Sequence, residues 1–479
     1  MRTRGKLARS VLAGLRHELD GPREVWVSSP RPSMNSEPPS ASRAPERHGS
    51  LLVLAMLALV VGGAAGLLGA SFRLALEQAE HVRNGLLAWA HRRAIPGFLL
   101  VAAGCSVATL VAAWLVRRFS PHAAGSGIPH VEAVLRDEVP PAPYGLAVVK
   151  FVGGLLAIGS GLALGREGPS VQMGASVANG IGRISGRSWP DRRVLLAAGA
   201  GAGLAAAFNA PIAGSVFVLE ELVQRFETRI AIAAAEDARA AIAVARALLG
   251  SAPDFHLGTL DYPRSAIQPL FFVLGGLAGL LAVAYNRTLL ATIAAGERLG
   301  RFPVEARASL IGAAVGILAW FAPHLVGGGD MITQRTLAGA DPLGLVLVAF
   351  LIRFGLGAVS YAANTPGGLF APLLVLGAQS GLLFGAACRA AFPAAGIQPE
   401  AFAVVGLAAF FAGVVRAPLT AIVLVIEMTA NVTMLLPMLS ACFVATLVPT
   451  LLRDAPIYES LRKHTLRRER GVQQKASMK

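Results

Sequence analysis

Three short segments carry most of the chemistry this sequence offers: Gly125-Ser126-Gly127-Ile128-Pro129, Gly165-Arg166-Glu167-Gly168-Pro169 and Gly368-Leu369-Phe370-Ala371-Pro372. Each ends in a proline and runs into an apolar stretch. Proline suits the first turn of a helix, and serine suits the cap before it. A helix N-terminus exposes unpaired N–H groups and about half a positive charge. Glycine beside such an end lets the backbone approach a ligand closely. Several such ends meeting inside a membrane would hold an anion without needing a full cation.

Glu167 stands inside the second segment. An ionisable group within a membrane segment costs roughly 2.5–3.5 kcal/mol and marks function by default. Beside a helix N-terminus its carboxylate would compete with an anion for the same donors, and protonation would release it. The plainer reading is an ion pair with Arg166, which adjacent helix positions disfavour. For Ser126 the plainer reading is an ordinary helix cap. Glu220 and Glu221 close the apolar run that begins at Gly199, and Gln224, Arg225 and Glu227 follow. Composition alone therefore reads the two glutamates as interfacial charges.

The elements that must position these residues are membrane helices. Hydrophobic residues make up 54% of the chain and charged residues only 15%, with a mean hydropathy of +0.59. A soluble domain carries about a quarter of its residues as charges. Leu51 to Ser71, Gly199 to Leu219 and Met428 to Leu452 contain no charge at all, and about 20 such residues span a bilayer as a helix. Runs without polar alternation exclude a barrel. The 53 glycines and 29 prolines are scattered through the apolar part. That predicts short, broken helices whose ends line a cavity.

The chain also repeats itself. Gly165 to Pro169 with Gly174-Ala175 matches Gly368 to Pro372 with Gly377-Ala378 at an offset of 203. Ala210-Pro211 running to Glu220 matches Ala417-Pro418 running to Glu427 at 207, and Gly125-Ser126-Gly127 matches Gly327-Gly328-Gly329 at 202. Two transmembrane halves are expected, residues 50–245 and 266–452, joined by a linker over 246–265. Repeated halves with broken helices are the build of secondary transporters, whose sites sit where the halves meet.

From about Leu51 to Arg468 the sequence resembles the CLC family of chloride channels and chloride/proton antiporters. The carriers of that resemblance are GSGIP at 125–129, GREGP at 165–169 and GGLFAP at 367–372, in order and unaltered. It implies an all-α integral membrane protein with a CLC-type fold, its halves inverted and its helices broken and tilted. It implies that Ser126 and Tyr458 supply hydroxyls to a central chloride. Gly127, Ile128 and the backbone amides of Leu369 and Phe370 would complete that site. Glu167 would be the gate and the outer proton acceptor. Glu221 would relay protons from the cytoplasm; channels of the family commonly replace it, so its presence favours exchange over passive flow. Glu132 and Lys150 would be a structural pair, while Glu220 and Glu427 are read as packing or capping residues. Ser126 points to chloride, because relatives favouring nitrate can carry proline there. Homodimerisation, with one pathway per subunit, follows from the family alone. Glu236, Asp237 and Arg239 fall where the family has an apolar helix near its dimer contact; they could pair locally, or that helix could be shorter.

Much of the net charge of +15 sits in the first 49 residues and after Leu452. Lys and Arg flanking spans favour the cytoplasmic side, so both termini are expected there; the resemblance, to prokaryotic antiporter-like members, implies a multi-pass protein of a bacterial inner membrane. Residues 1–49 form a basic, Ser/Pro-rich tail that is expected to be disordered, with Ser, Pro and Arg concentrated in 25–49; the first 45 residues hold no apolar core for a secretory signal. The tails lack the interleaved aromatics of nucleic-acid binding. Only 27 residues follow Leu452, so no CBS pair is expected, and residues 453–479 are expected to form a cytoplasmic helix and basic tail. Cys105, Cys388 and Cys442 have no metal spacing and read as packing residues. There is no HExxH helix or GxSxG elbow, so no enzyme and no cofactor are expected; the partners are chloride, protons and the lipid bilayer.

Overall fold

The computed structural model describes residues 51–143, 145–298 and 302–477. The expected disordered tail, residues 1–49, lies outside them. Among the described residues every regular element is helical. The first half contains α1 (Leu51–His91), α2 (Ala94–Phe119), α3 (Ile128–Leu135), α4 (Gly145–Gly159), α5 (Glu167–Ile184), α6 (Trp189–Phe208), α7 (Pro211–Phe217) and α8 (Thr228–Leu249). The second contains α9 (Gln268–Arg298), α10 (Val304–Phe321), α11 (Asp330–Leu337), α12 (Leu343–Ala362), α13 (Phe370–Ala391), α14 (Pro399–Val415), α15 (Pro418–Thr429) and α16 (Leu435–Leu451). A last helix, α17, spans Ile457–Ser477. The two sets correspond one to one, α1 with α9 through α8 with α16, so the repeat seen in the motifs extends through whole elements.

Six of these elements are long and apolar enough to cross a membrane. Others are too short: α3 and α11 have eight residues each, about 12 Å of helix. The first of them starts inside the protein, at the buried Ile128 and Pro129, which is tolerated because protein and not lipid surrounds that end. The centre is built from α6 and α14, buried almost all round, as expected of helices shielded from both water and lipid. They seat against α5 and α13 through glycines. A Cβ at Gly174 or Gly203 would overlap the carbonyl of Gly199 or Ser170, and one at Gly377 or Gly381 that of Gly406 or Phe402. Small residues at membrane-helix contacts allow this close approach. Peripheral helices turn large apolar residues outward, including Leu52, Ile95, Leu310, Leu351 and Phe443, a surface suited to lipid.

The halves grip each other at equivalent points. Gly165 N–H donates to the Gly368 carbonyl at 2.9 Å, and Gly368 N–H returns the bond at 2.7 Å. Glu427 accepts the N–H groups of Ile212 and Ala213 at the start of α7 (3.0 and 2.7 Å). Glu220 accepts those of Leu419 and Thr420 at the start of α15 (3.0 and 2.6 Å). Each carboxylate thus satisfies orphan donors of the other half's helix and sits at its positive end. The capping reading of Glu220 and Glu427 is what the geometry shows.

The expected Glu132–Lys150 pair does not form. Lys150 Nζ donates to the carbonyls of Ala123 and Gly125 (3.1 and 2.7 Å), while Glu132 takes Arg136 at 2.8 Å and Arg462 at 3.4 Å. The ammonium goes to the carbonyls because the turn before α3 leaves them without helical partners. The second half repeats the device: Arg353, 203 positions after Lys150, donates to the carbonyls of Leu325, Gly327 and Gly328. As for the α8 charges, Arg239 pairs with Glu236 at 2.8 Å on the exposed face, and Asp237 is buried where α8 crosses Gly62 of α1. The helix runs 22 residues.

Candidate anion site

The turn Gly125–Ile128 and the loop before α13 meet at the centre of the protein. Gly125 N–H donates to the Thr365 carbonyl, and Gly367 N–H to the Gly125 carbonyl (both 3.0 Å). Gly127 caps α3 with φ of 86°, and its counterpart Gly329 caps α11 with φ of 103°, a left-handed conformation that only glycine adopts without strain. Ser126 between the two glycines, and Ile128 as the first residue of α3, are both fully buried. Leu369 caps α13 and is equally buried.

Glu167 opens α5 and is fully buried. Its Oε1 accepts the Phe370 N–H at the head of α13, at 2.6 Å. Its Oε2 has no hydrogen-bond partner. The carboxylate lies between Gly165 and Gly368, each of which would strike it with a Cβ. Arg166 does not pair with Glu167; its guanidinium bonds Asp330 (2.7 Å), Asp254 (3.4 Å) and the Ala207 carbonyl (3.0 Å). The plainer reading of Glu167 as half of a local salt bridge is therefore excluded.

Tyr458 follows the last long apolar run in sequence, yet it is fully buried with its ring 6.0 Å from that of Phe370. Its helix α17 folds back under α3, where Arg462, one turn on, pairs with Glu132 and Glu138. The Tyr458 and Ser126 hydroxyls lie near one another without a well-formed bond between them. Both are buried O–H groups with no hydrogen-bond partner, an arrangement that costs roughly 1–3 kcal/mol per group. Two unmatched hydroxyls, a helix N-terminus and a carboxylate already bound to that N-terminus thus gather at one buried point.

Glu221 lies apart from this cluster. It sits in a π-helical turn, Val218–Leu222, and is buried with Glu132, Glu220, Glu459 and Arg136 among its charged neighbours. Glu220, one residue earlier, points to α15 instead. Adjacent helix positions face different directions, so Glu220 and Glu221 meet different surroundings in this π-helical turn.

Sequence reading missed three residues that hold the two repeated turns. Tyr361 accepts the Ser126 N–H on its hydroxyl at 3.2 Å. Gln172 reaches the turn from α5. Arg353 holds the second-half turn, and its place 203 positions after Lys150 in an apolar run was a usable signal. Nothing in the sequence singled out the other two.

The match to the voltage gated chloride channel family covers residues 107–450, more than two thirds of the chain. The chain belongs to this family. The H(+)/Cl(-) exchange transporter ClcA of Vibrio parahaemolyticus serotype O3:K6 is 36% identical over 427 residues, which is 88% of this chain and 91% of that protein. The structure of a slow cyanobacterial Cl-/H+ antiporter superposes with a TM-score of 0.82 at 32% identity, covering 88% of this chain and 98% of that one. A eukaryotic CLC transporter superposes at 0.75 and 25% identity, covering 86% and 74%. This family member has its family's fold, and it is a multi-pass membrane protein.

Proposed function

We propose that this protein exchanges chloride for protons across a membrane, with Ser126, Gly127, Ile128, Leu369, Phe370 and Tyr458 forming the chloride site. Glu167 is the gate and outer proton acceptor, and Glu221 is the inner proton relay. One observation carries the reading: the Glu167 carboxylate occupies the Phe370 N–H beside the unmatched Ser126 and Tyr458 hydroxyls. An anion and this carboxylate draw on the same donor. Protonation removes the charge that competes with the anion, so chloride bound and proton bound are favourable together. That linkage makes one side chain serve both ions.

The relatives named for H(+)/Cl(-) exchange support the ion pair. The deciding experiment uses purified protein in liposomes: an imposed chloride gradient drives protons uphill. Chloride flux with no proton movement would reduce the protein to a passive chloride channel.

The proposal also includes its setting. Halves at residues 50–245 and 266–452, joined at 246–265, span a bacterial inner membrane, with 1–49 and 453–479 on the cytoplasmic side. Protease access from one face of oriented vesicles tests that orientation. Two copies associate, each with its own pathway, and subunit counting in detergent tests this.

A further inference from the structure

Gln172 lies on α5, five residues beyond Glu167, and is 1% exposed. Its Nε2 donates to the His122 carbonyl at 2.9 Å and to His130 Nδ1 at 3.3 Å. Its amide also lies where a Cβ on Gly127 would fall. One side chain therefore braces three points around the Ser126 turn: the 3-10 turn Pro121–Ala123 before it, Gly127 within it, and α3 after it. Its Oε1 and His130 Nε2 are buried without partners, beside a small cavity also lined by Ser176 and Asn179.

The repeat supplies an internal comparison. The counterpart of Gln172, 203 positions on, is Val375, whose Cγ2 fills the same place against Gly329. Packing against the capping glycine thus needs only a small apolar side chain. The half that carries Ser126 has instead an amide with a buried, unmatched oxygen, an arrangement that packing alone disfavours. Three-dimensional packing does not require that amide; holding the turn by its donor hydrogens does.

We infer that Gln172 is a specificity-determining positioning residue, whose amide holds the Gly125–Ile128 turn where Ser126 discriminates among anions. This rests on the reading of Ser126 as a chloride ligand. It makes the gate helix and the selectivity turn one braced unit, since Glu167 and Gln172 share α5.

The test uses the full chain with Gln172→Met, which keeps volume and removes the amide, and Gln172→Val, which installs the residue of the other half. Chloride binding is read by calorimetry, the chloride-to-nitrate flux ratio in liposomes, and the melting temperature in detergent. The expected result is a loss of about fivefold to tenfold in chloride affinity, the scale of one hydrogen bond. The chloride-to-nitrate ratio should fall towards one in both variants, with an unchanged melting temperature. Wild-type affinity and ratio in the two variants would overturn this inference alone. A wild-type protein that binds no chloride would overturn the proposed site and this inference with it.

Discussion

Glu167 and Phe370 occupy the same position in the two repeated halves, 203 residues apart, and one binds the other: the Phe370 N–H donates to Glu167 Oε1 at 2.6 Å. The pair is held in register two residues earlier, where Gly165 and Gly368 exchange reciprocal backbone bonds. Duplication brought two helix N-termini face to face. One supplies the donor, and the other the acid that accepts from it.

Removing the competing acid should separate the two ions. Glu167→Ala is expected to keep chloride flux and to bring proton movement down to the background of empty liposomes. Paired chloride and pH electrodes on one vesicle suspension measure both. Proton pumping that survives in this variant would remove Glu167 from the pathway.

Gly165→Ala offers a route to the same state without touching the carboxylate. The atoms nearest the new Cβ belong to the Glu167 carboxylate, and the backbone there is not left-handed. The methyl should push the acid off the Phe370 amide, raising chloride flux and cutting protons moved per chloride by about tenfold, the effect of losing a charge-assisted bond. Unchanged coupling would show that the acid works from another position.

The adjacent glutamates should behave oppositely. Glu220→Ala strips two N–H groups at the start of α15 of their acceptor and should cost about 0.5–2 kcal/mol of stability, with coupling intact. Glu221→Gln should leave the melting temperature in place and stop protons. Thermal unfolding in detergent and the liposome assay, run on both variants, distinguish cap from relay.

Ser126→Pro removes both the hydroxyl and the N–H that Tyr361 accepts. Chloride should lose ground to nitrate by about threefold to tenfold, one hydrogen bond's worth. Competition fluxes with the two anions give the ratio directly, and an unaltered ratio would take Ser126 out of selection.

Much of this protein was legible in one dimension. The charge-free runs, the scattered glycines and prolines, and the offset of about 203 residues announced a duplicated bundle of broken membrane helices, because lipid tolerates only helices and closed barrels and runs without alternation exclude the barrel. The three glycine-bracketed segments marked helix ends suited to an anion, and Glu167 was visible as an acid out of place. The Glu132–Lys150 pair was misread, because opposite charge suggests a partner while the unmet carbonyls of a turn claim an ammonium just as well. Sequence spacing does not reveal where such carbonyls lie.

What only the tertiary structure decided is how the repeated positions divide the work. At 126 and 328, 167 and 370, 172 and 375, the first half carries serine, glutamate and glutamine where the second carries glycine, phenylalanine and valine. Local pattern treats each pair as equivalent. Only when the halves close does a backbone N–H of one meet a carboxylate of the other, and Tyr458 arrive from beyond both. Those contacts depend on the packing of α5 against α13 and of α17 beneath α3, interactions that no window of sequence contains.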